Sequence, residues 1–370
     1  MYRLFFLFIL FFNLYPEIVY AEINGCNPVW SIENIEVDEK NINPSKAKND
    51  AERNATLSAF KSLLDRIVVT PLGETEIAYP SIENEIIESM VNFKLVKNET
   101  TLSNRYLANL SFCFIPDKVA NYLVMNNFSW SELTSRPIII LPVWQNKFGS
   151  RLWRDPNPWK NAFIENIELH NGLSNLIIPI NRIGVERSID SKLALMQDRS
   201  SISRAIKRGG ATRALIAIAE IKENETSNSN SLNIKVILFN DNGDNQGLLY
   251  EKNTFIDISK LSQLLIEESQ EIISSMEMRW KQANIFDGKL VSEITVFINA
   301  NNAFEWVNGK RKLENLPGVK KIRTESINNN GGYVRLWVMG GVQRLVSIIT
   351  EKNLPVSGSR ENLIFNAGKL

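Results

Sequence analysis

Small apolar residues recur at every fourth position in the segment that follows Pro44. Ala47, Ala51, Ala55 and Ala59 form one stripe, and bulkier apolar residues continue it towards Arg66. Side chains four residues apart lie on the same face of a helix, and alanines let that face approach a sheet closely. The pattern predicts a helix from Pro44 to about Arg66 that packs on a sheet.

Other segments alternate between short apolar runs and longer amphipathic stretches, separated by Pro, Gly and Asn. The apolar runs predict strands at 32–37, 91–97, 105–114, 138–141, 176–180, 213–221, 232–240, 248–255, 292–298, 320–326 and 333–338. The amphipathic stretches predict helices at 81–90, 116–125, 190–196, 201–208, 259–282, 301–313 and 341–350, and one that starts at Pro158. We expect the strand that begins at Ile138 to be closed by Pro142, and 105–114 to be a central strand.

This order of elements predicts an α+β protein of three consecutive small α/β sandwich modules. The N-terminal module spans 22–130, the central module 136–284 and the C-terminal module 289–370. The last module has the order β, α, β, β, α and a final strand after Asn353, which is the ferredoxin-like βαββαβ unit.

The first 21 residues have the pattern of a secretory signal peptide. Arg3 precedes an apolar run of about a dozen residues, which suits a signal and falls short of the ~20 needed to span a bilayer. We expect cleavage after Ala21, a periplasmic or secreted protein and no later transmembrane segment. Residues 23–26 imitate a lipobox, but Glu22 separates them from the apolar run, so we do not expect a lipid anchor on Cys26.

The charge balance excludes some partners and leaves the state of the cysteines open. The 42 Lys and Arg residues are matched by 41 Asp and Glu residues and form no basic block, which argues against a nucleic-acid partner. Cys26 and Cys113 could pair in an oxidising compartment, or Cys113 could be a buried thiol in its strand. The sequence leaves the oligomeric state open as well.

Catalytic, cofactor and metal motifs are missing from the sequence. His170, the single histidine, stands in a Leu-His-Asn-Gly turn and is interpreted as a surface-loop residue. The acidic stretch 241–244 does not fit a calcium loop, Gly309 and Lys310 do not fit a phosphate-binding loop, and Ser357–Ser359 does not fit a nucleophile elbow. We therefore predict a non-catalytic protein without a cofactor.

The segment 151–160 is the strongest candidate for a contact site. Trp153, Arg154, Asn157, Trp159 and Lys160 combine tryptophan with basic residues, a mixture typical of binding hot spots. A structural interpretation competes with this one, because Asn157 followed by proline is a helix start and tryptophans are usually buried.

The same region resembles the bacterial family known as domain of unknown function 2066. The resemblance covers about residues 30–280 and includes the alanine-rich helix ending at Arg66, the strand that starts at Arg105 and the strand after Gly210. It rests mainly on the segments Arg136–Trp144 and Leu152–Trp159. The family implies an exported envelope protein and supplies no catalytic residues.

The first two modules are also similar in topology to those of periplasmic assembly factors such as flagellar assembly protein T and the amino-terminal domain of TolB. We expect an exported envelope protein that binds another envelope protein or assists assembly. The alternative is a small-ligand or carbohydrate binder, or an unrecognised hydrolase, with a pocket near Trp153 and Trp159. An exposed apolar patch would favour the first function, and a deep pocket with convergent acids the second.

Overall fold

The computed structural model describes residues 25–71, 77–224, 229–285, 291–359 and 362–369. The predicted signal peptide lies outside the described residues. Helices and three sheets confirm the mixed α+β class. In the described part of the chain, no helix is both long enough and apolar enough to cross a membrane.

The described chain divides into two compact units. Unit 1 contains the described residues up to Ala59 together with Glu83–Ile115, and unit 2 contains Phe60–Ile82 and the described residues from Pro116 onwards. Each sheet draws its strands from one of the three predicted module ranges. The module boundaries themselves stay a prediction.

Unit 1 is built around a three-stranded antiparallel sheet. Its elements are β1 (Ser31–Lys40), α1 (Pro44–Ile67, in unit 1 as far as Ala59), α2 (Asn84–Met90), β2 (Val91–Leu102) and β3 (Arg105–Phe114). The strand order is β1-β3-β2, so 105–114 is the central strand, as predicted. Ala47 and Ala51 of α1 are fully buried and belong to one apolar cluster with Tyr106 and Ala108 of β3.

Cys26 and Cys113 form a disulfide in unit 1, with their Cα atoms 5.9 Å apart. The bridge joins the segment before β1 to the central strand β3, whose Cys113 lies opposite Ser31 and Phe93. Of the two states that the sequence left open, the structure has the disulfide. A sulfur atom in a disulfide cannot also carry the thioether of a lipid anchor.

Unit 2 contains a central sheet covered by helices on both faces. Helix α3 (Pro116–Met125) also belongs to this unit. The helices that cover the central sheet are α4 (Pro158–Leu169), α5 (Ile183–Glu186), α6 (Ser191–Leu195), α7 (Arg199–Arg208) and α8 (Leu261–Ala283). The strands are β4 (Ile138–Asn146), β5 (Gly149–Arg151), β6 (Leu176–Ile177), β7 (Arg213–Asn224), β8 (Ser229–Asn240) and β9 (Asn245–Ile256). The order is β5-β4-β7-β8-β9; β4 is parallel to β7 and to the short β6, and the other pairs are antiparallel.

Successive residues of β4 enter different cores. Ile138 and Ile140 pack with Trp159 of α4 and Ile272 of α8. Ile139 and Leu141 pack on the opposite face with residues of α5, α6 and α7. This explains why all seven residues from Ile138 to Trp144 are buried: a strand covered on both faces is apolar throughout.

The prediction that Pro142 ends this strand is wrong, because β4 runs through it to Asn146. A proline cannot donate a ladder hydrogen bond. The Pro142 carbonyl accepts a hydrogen bond from Asn157 Nδ2 at 3.0 Å, and the N–H and C=O of a strand residue point to the same side. On this side of β4, the strand β6 pairs only with Ile138 and Ile139, and the strand β5 pairs only from Trp144 onwards. Pro142 lies between these two pairings, where neither β5 nor β6 needs its N–H group.

The C-terminal part of unit 2 forms a five-stranded sheet. Its elements are β10 (Val291–Asn299), α9 (Ala303–Glu314), β11 (Val319–Asn328), β12 (Gly331–Met339), α10 (Gly341–Glu351), β13 (Val356–Ser359) and β14 (Asn362–Asn366). The strand order is β11-β12-β10-β14-β13. One final strand was predicted, but two are present, and β14, which lies beside β10, runs parallel to it.

Candidate functional site

The predicted contact residues lie in the connection between β4 and α4 (residues 147–157, "the β4–α4 connection") and in the first turn of α4. Asn157 caps α4, because its Oδ1 accepts a hydrogen bond from the backbone N–H of Lys160 at 2.9 Å. Its Nδ2 donates to the carbonyls of Pro142 and Leu152, both at 3.0 Å. Asn157 is fully buried, and its side chain makes three hydrogen bonds that hold the connection on the sheet.

The two tryptophans differ in exposure. Trp159 is fully buried; its Nε1 donates to the carbonyl of Ala217 at 3.0 Å, and its ring lies 4.6 Å from that of Phe163. Trp153 is half-buried, and its Nε1 donates to the carbonyl of Ile189 at 2.8 Å. The prediction of partner contact is therefore wrong for Trp159 and for Asn157, since a partner cannot reach either residue in the folded chain.

Basic residues complete the β4–α4 connection. Lys160 Nζ donates to the carbonyl of Trp153 at 3.1 Å and to Asp155 Oδ1 at 2.9 Å. The hydrogen bond from Lys160 lowers the pKa of Asp155. Arg154 is exposed, and so is Phe148 in the turn before β5, with 78% of its surface accessible. The surface of the connection thus carries Phe148, Arg154 and one side of Trp153.

A cavity of about 630 Å³ lies elsewhere in unit 2. It is formed by the end of α1, the loop after α4 and the second half of α8, and its lining includes neither Trp153 nor Trp159. The lining residues are Ser62, Asp65, Arg66, Thr70, His170, Asn171, Gly172, Glu271, Ser274, Ser275, Glu277, Met278 and Lys281. The structure therefore has a cavity at α8, and the pocket that the sequence placed beside the tryptophans stays a prediction.

His170 lies in the loop after α4, as the sequence predicts, and its side chain lines this cavity. Its side chain is 15% exposed, and its Nε2 lies 3.1 Å from the carbonyl oxygen of Ser174 and 3.5 Å from Glu277 Oε2. Glu277 stands on α8, more than 100 positions along the chain. A partner at that distance leaves no local sequence pattern, and hence sequence reasoning missed the pair.

Glu277 is a buried carboxylate that accepts several hydrogen bonds. The backbone N–H groups of Leu173 and Ser174 donate to it at 2.8 Å each, and the Ser174 hydroxyl donates as well. Burial alone would raise the pKa of Glu277, but hydrogen bonds from His170, Ser174 and the two backbone amides lower it to about 2. A Cβ at Gly172 would lie 2.5 Å from Glu277 Oε2, so any larger residue there would displace the carboxylate.

Two cations of the same region also bind backbone groups. Lys281 Nζ donates to the carbonyls of Asp65 at 3.0 Å and Val68 at 2.8 Å, and burial lowers the pKa of Lys281. Arg66 donates to the backbone carbonyl of Asn171 at 3.0 Å and to its side-chain oxygen. Together with Glu277, these residues fasten the end of α1 and the loop after α4 to α8.

The arrangement of Ser174, His170 and Glu277 differs from a catalytic triad. In a triad, the nucleophile and the acid contact opposite nitrogens of the imidazole ring. Here Nε2 of His170 faces both Ser174 and Glu277, and the Ser174 hydroxyl, on a residue only 1% exposed, donates directly to the carboxylate. The geometry is that of a structural hydrogen-bond network. Among the described residues, no three metal-ligating side chains are grouped.

We expect Glu277→Gln to lower the free energy of unfolding by about 3 kcal/mol at pH 7. The carboxyl pKa is about 2 in the folded protein against an ordinary 4.5, so its contribution is present above about pH 4.5 and is lost as the pH falls towards 2. The difference between wild type and variant should therefore be smaller at pH 3 than at pH 7, as measured by urea unfolding at both values.

Glu271→Gln is the matched control, because that carboxylate on the same helix has a side chain that is 55% exposed. We expect a change within about 0.5 kcal/mol at either pH. Equal losses from the two variants would contradict the structural role of Glu277.

No family model and no curated protein sequence matches the chain. Among solved structures, the chain is similar to the hypothetical protein CT253 from Chlamydia trachomatis, with 12% sequence identity and a TM-score of 0.26. The similarity covers 39% of this chain and 96% of that one. The resemblance to the domain of unknown function 2066 family stays a prediction.

Proposed function

We propose that this chain is a non-catalytic bacterial protein that is exported to the cell envelope and binds another envelope protein there, as an assembly factor does. The signal-like pattern of residues 1–21 supports export. The disulfide between Cys26 and Cys113 supports an oxidising compartment, because such bonds persist there and are rare in the cytosol.

The β4–α4 connection is the observation that carries the binding role. It is held in place at Trp153, Asn157 and Lys160, and still presents Phe148 and Arg154 to solvent. A surface that is already ordered loses little entropy when a partner binds. Aromatic and arginine side chains on such a surface are the residue types that dominate binding energy in protein interfaces.

Photo-crosslinking in living cells tests this function. A benzoyl-phenylalanine at Phe148 is expected to capture one envelope protein that the same group at Phe304, which is 77% exposed on α9, does not capture. Capture should be lost in Arg154→Glu and retained in Lys207→Glu, which reverses an exposed charge on α7. No capture at Phe148, or the same species from both positions, would count against the proposal, and a cytoplasmic protein on fractionation would refute export.

The cavity at α8 favours a second candidate function, the binding of a small polar ligand. Its volume lies in the usual range for ligand sites, and hydroxyl groups and carboxylates line it. A panel of monosaccharides and amino acids would be screened for a rise in melting temperature, which a bound ligand produces by mass action. A true site should lose the response in Ser274→Trp, which fills the cavity, and keep it in Ser200→Trp, an exposed change on α7.

A further inference from the structure

In the described part of the chain, the C-terminal sheet has one face covered by helices and one face that is open to solvent ("the open face"). Alternate residues of β10 and β12, such as Val296 and Leu336, are buried. Helix α10 packs against both of these strands, and α9 packs against β10 and β11. The residues between the buried ones point the other way, and this open face is solvent-accessible: Val291 is 49% and Tyr333 47% exposed. A sheet face of this kind is normally apolar only where something covers it.

Three aromatic side chains lie on the open face, on the neighbouring strands β10 and β12. Phe297 of β10 lies directly opposite Tyr333 of β12, with the ring centres 4.9 Å apart. Trp337 lies on the same face of β12, four residues after Tyr333. The side chains of Lys321 and Arg323 lie over the Trp337 ring, at 5.1 and 5.8 Å from its centre.

Charges of both signs surround these rings. Arg335 NH1 lies 3.1 Å from Glu293 Oε2, and Arg335 Nε lies 2.7 Å from Glu325 Oε1. Glu293 also accepts a hydrogen bond from Trp337 Nε1 at 3.0 Å. Arg335 lies between Tyr333 and Trp337 on this face, and aromatic and arginine side chains are the residue types enriched in protein interfaces.

We propose that a second copy of this chain docks on the open face of the C-terminal sheet, so that the protein is a dimer in solution. A twofold interface needs a surface that is complementary to itself. The open face meets this condition, because it carries charges of both signs that can face each other across a twofold axis. Its basic residues are Lys321, Arg323 and Arg335, and its acidic residues are Glu293 and Glu325. A strand of nucleic acid would instead require a clear excess of positive charge.

The size of the face agrees with a dimer. Strands of nine or ten residues are about 30 Å long and lie about 4.8 Å apart, so β10, β11 and β12 with the two short strands cover about 600 Å². Two copies would bury about 1,200 Å², which is above the ~1,000 Å² expected of a specific interface.

Sedimentation velocity of the purified mature chain tests the proposal. Wild type is expected to sediment as a dimer at micromolar concentration. Tyr333→Asp and Thr295→Arg, both on the open face, should sediment as monomers with unchanged near-ultraviolet circular dichroism. Phe304→Asp, a matched change on an exposed side chain of α9, should leave the dimer intact.

A chemical crosslink supplies an independent readout. Thr295→Cys lies in the centre of the open face and should give a covalent dimer with a short bismaleimide, whereas Lys312→Cys, exposed on α9, should not. The proposal is overturned by a wild-type monomer at about 100 µM, by dimers that survive both open-face variants, or by a monomer that binds a labelled single-stranded oligonucleotide through Tyr333. Because the purified chain is used alone, these outcomes are separate from failure of the envelope-partner experiment.

Discussion

Replacing Trp159 by alanine is expected to lower the free energy of unfolding by about 4 kcal/mol. The indole is fully buried between α4 and the central sheet, where it packs on Phe163 and belongs to the larger core of unit 2. The variant loses that packing and leaves a cavity that neighbouring side chains cannot fill. It also removes the donor to the Ala217 carbonyl, which is then buried without that hydrogen bond. Urea unfolding followed by circular dichroism measures the loss.

Phe148→Ala is the control for the removal of an aromatic ring from the same region. Its ring is 78% exposed, so we expect a change within about 0.5 kcal/mol. If Trp159→Ala cost less than about 1 kcal/mol, the burial of the indole described above would be wrong. The expected loss also means that Trp159→Ala is unsuitable for testing partner contact, because an absent partner would then reflect unfolding of the central sheet.

Reduction of the disulfide between Cys26 and Cys113 is the second large effect, and we expect it to cost unit 1 about 4 kcal/mol. The two residues are 87 positions apart, and a crosslink that closes so long a loop removes much of the entropy of the unfolded chain. In the described part of unit 1, the core is formed by a three-stranded sheet and by α1, which packs on it. Because this core is small, the loss should be visible as an earlier unfolding step in urea with reductant.

The double variant Cys26→Ser and Cys113→Ser provides the control. It should unfold at the lower urea concentration with or without reductant, whereas wild type should shift only when reductant is added. Coincident curves for oxidised and reduced wild type would show that the crosslink does not contribute to the stability of this unit.

Features that depend on neighbours in sequence were predictable. The four-residue spacing of alanines specified both the extent of α1 and its buried face. Asn157 followed by Pro158 specified the start of α4, because a cap and a fixed first φ act within one turn. Gly210, which follows α7, has a φ of +67°, the left-handed geometry that glycine commonly adopts after a helix.

Features that depend on distant strands and helices were not predictable. Pro142 was interpreted as a strand end because proline is rare inside a sheet. That rule holds only where the strand needs an N–H group, and the sequence does not reveal the gap between β5 and β6 where Pro142 lies. The network around His170 joins residues of α1, the loop after α4 and α8. Among the candidate contact residues, sequence reasoning could not separate the buried Trp159 from the half-buried Trp153.

Because β4 pairs in parallel with β7, which lies far downstream, the ribosome makes β4 well before this pair can form. Ile138 pairs with Arg213, about 75 residues downstream, whereas β7, β8 and β9 follow one another as hairpins. At ribosomal rates of about 5–20 residues per second, β4 emerges roughly ten seconds before β7 exists. During that interval the seven apolar-core residues 138–144 have no β7 to pair with. We therefore expect a chaperone to bind this nascent segment.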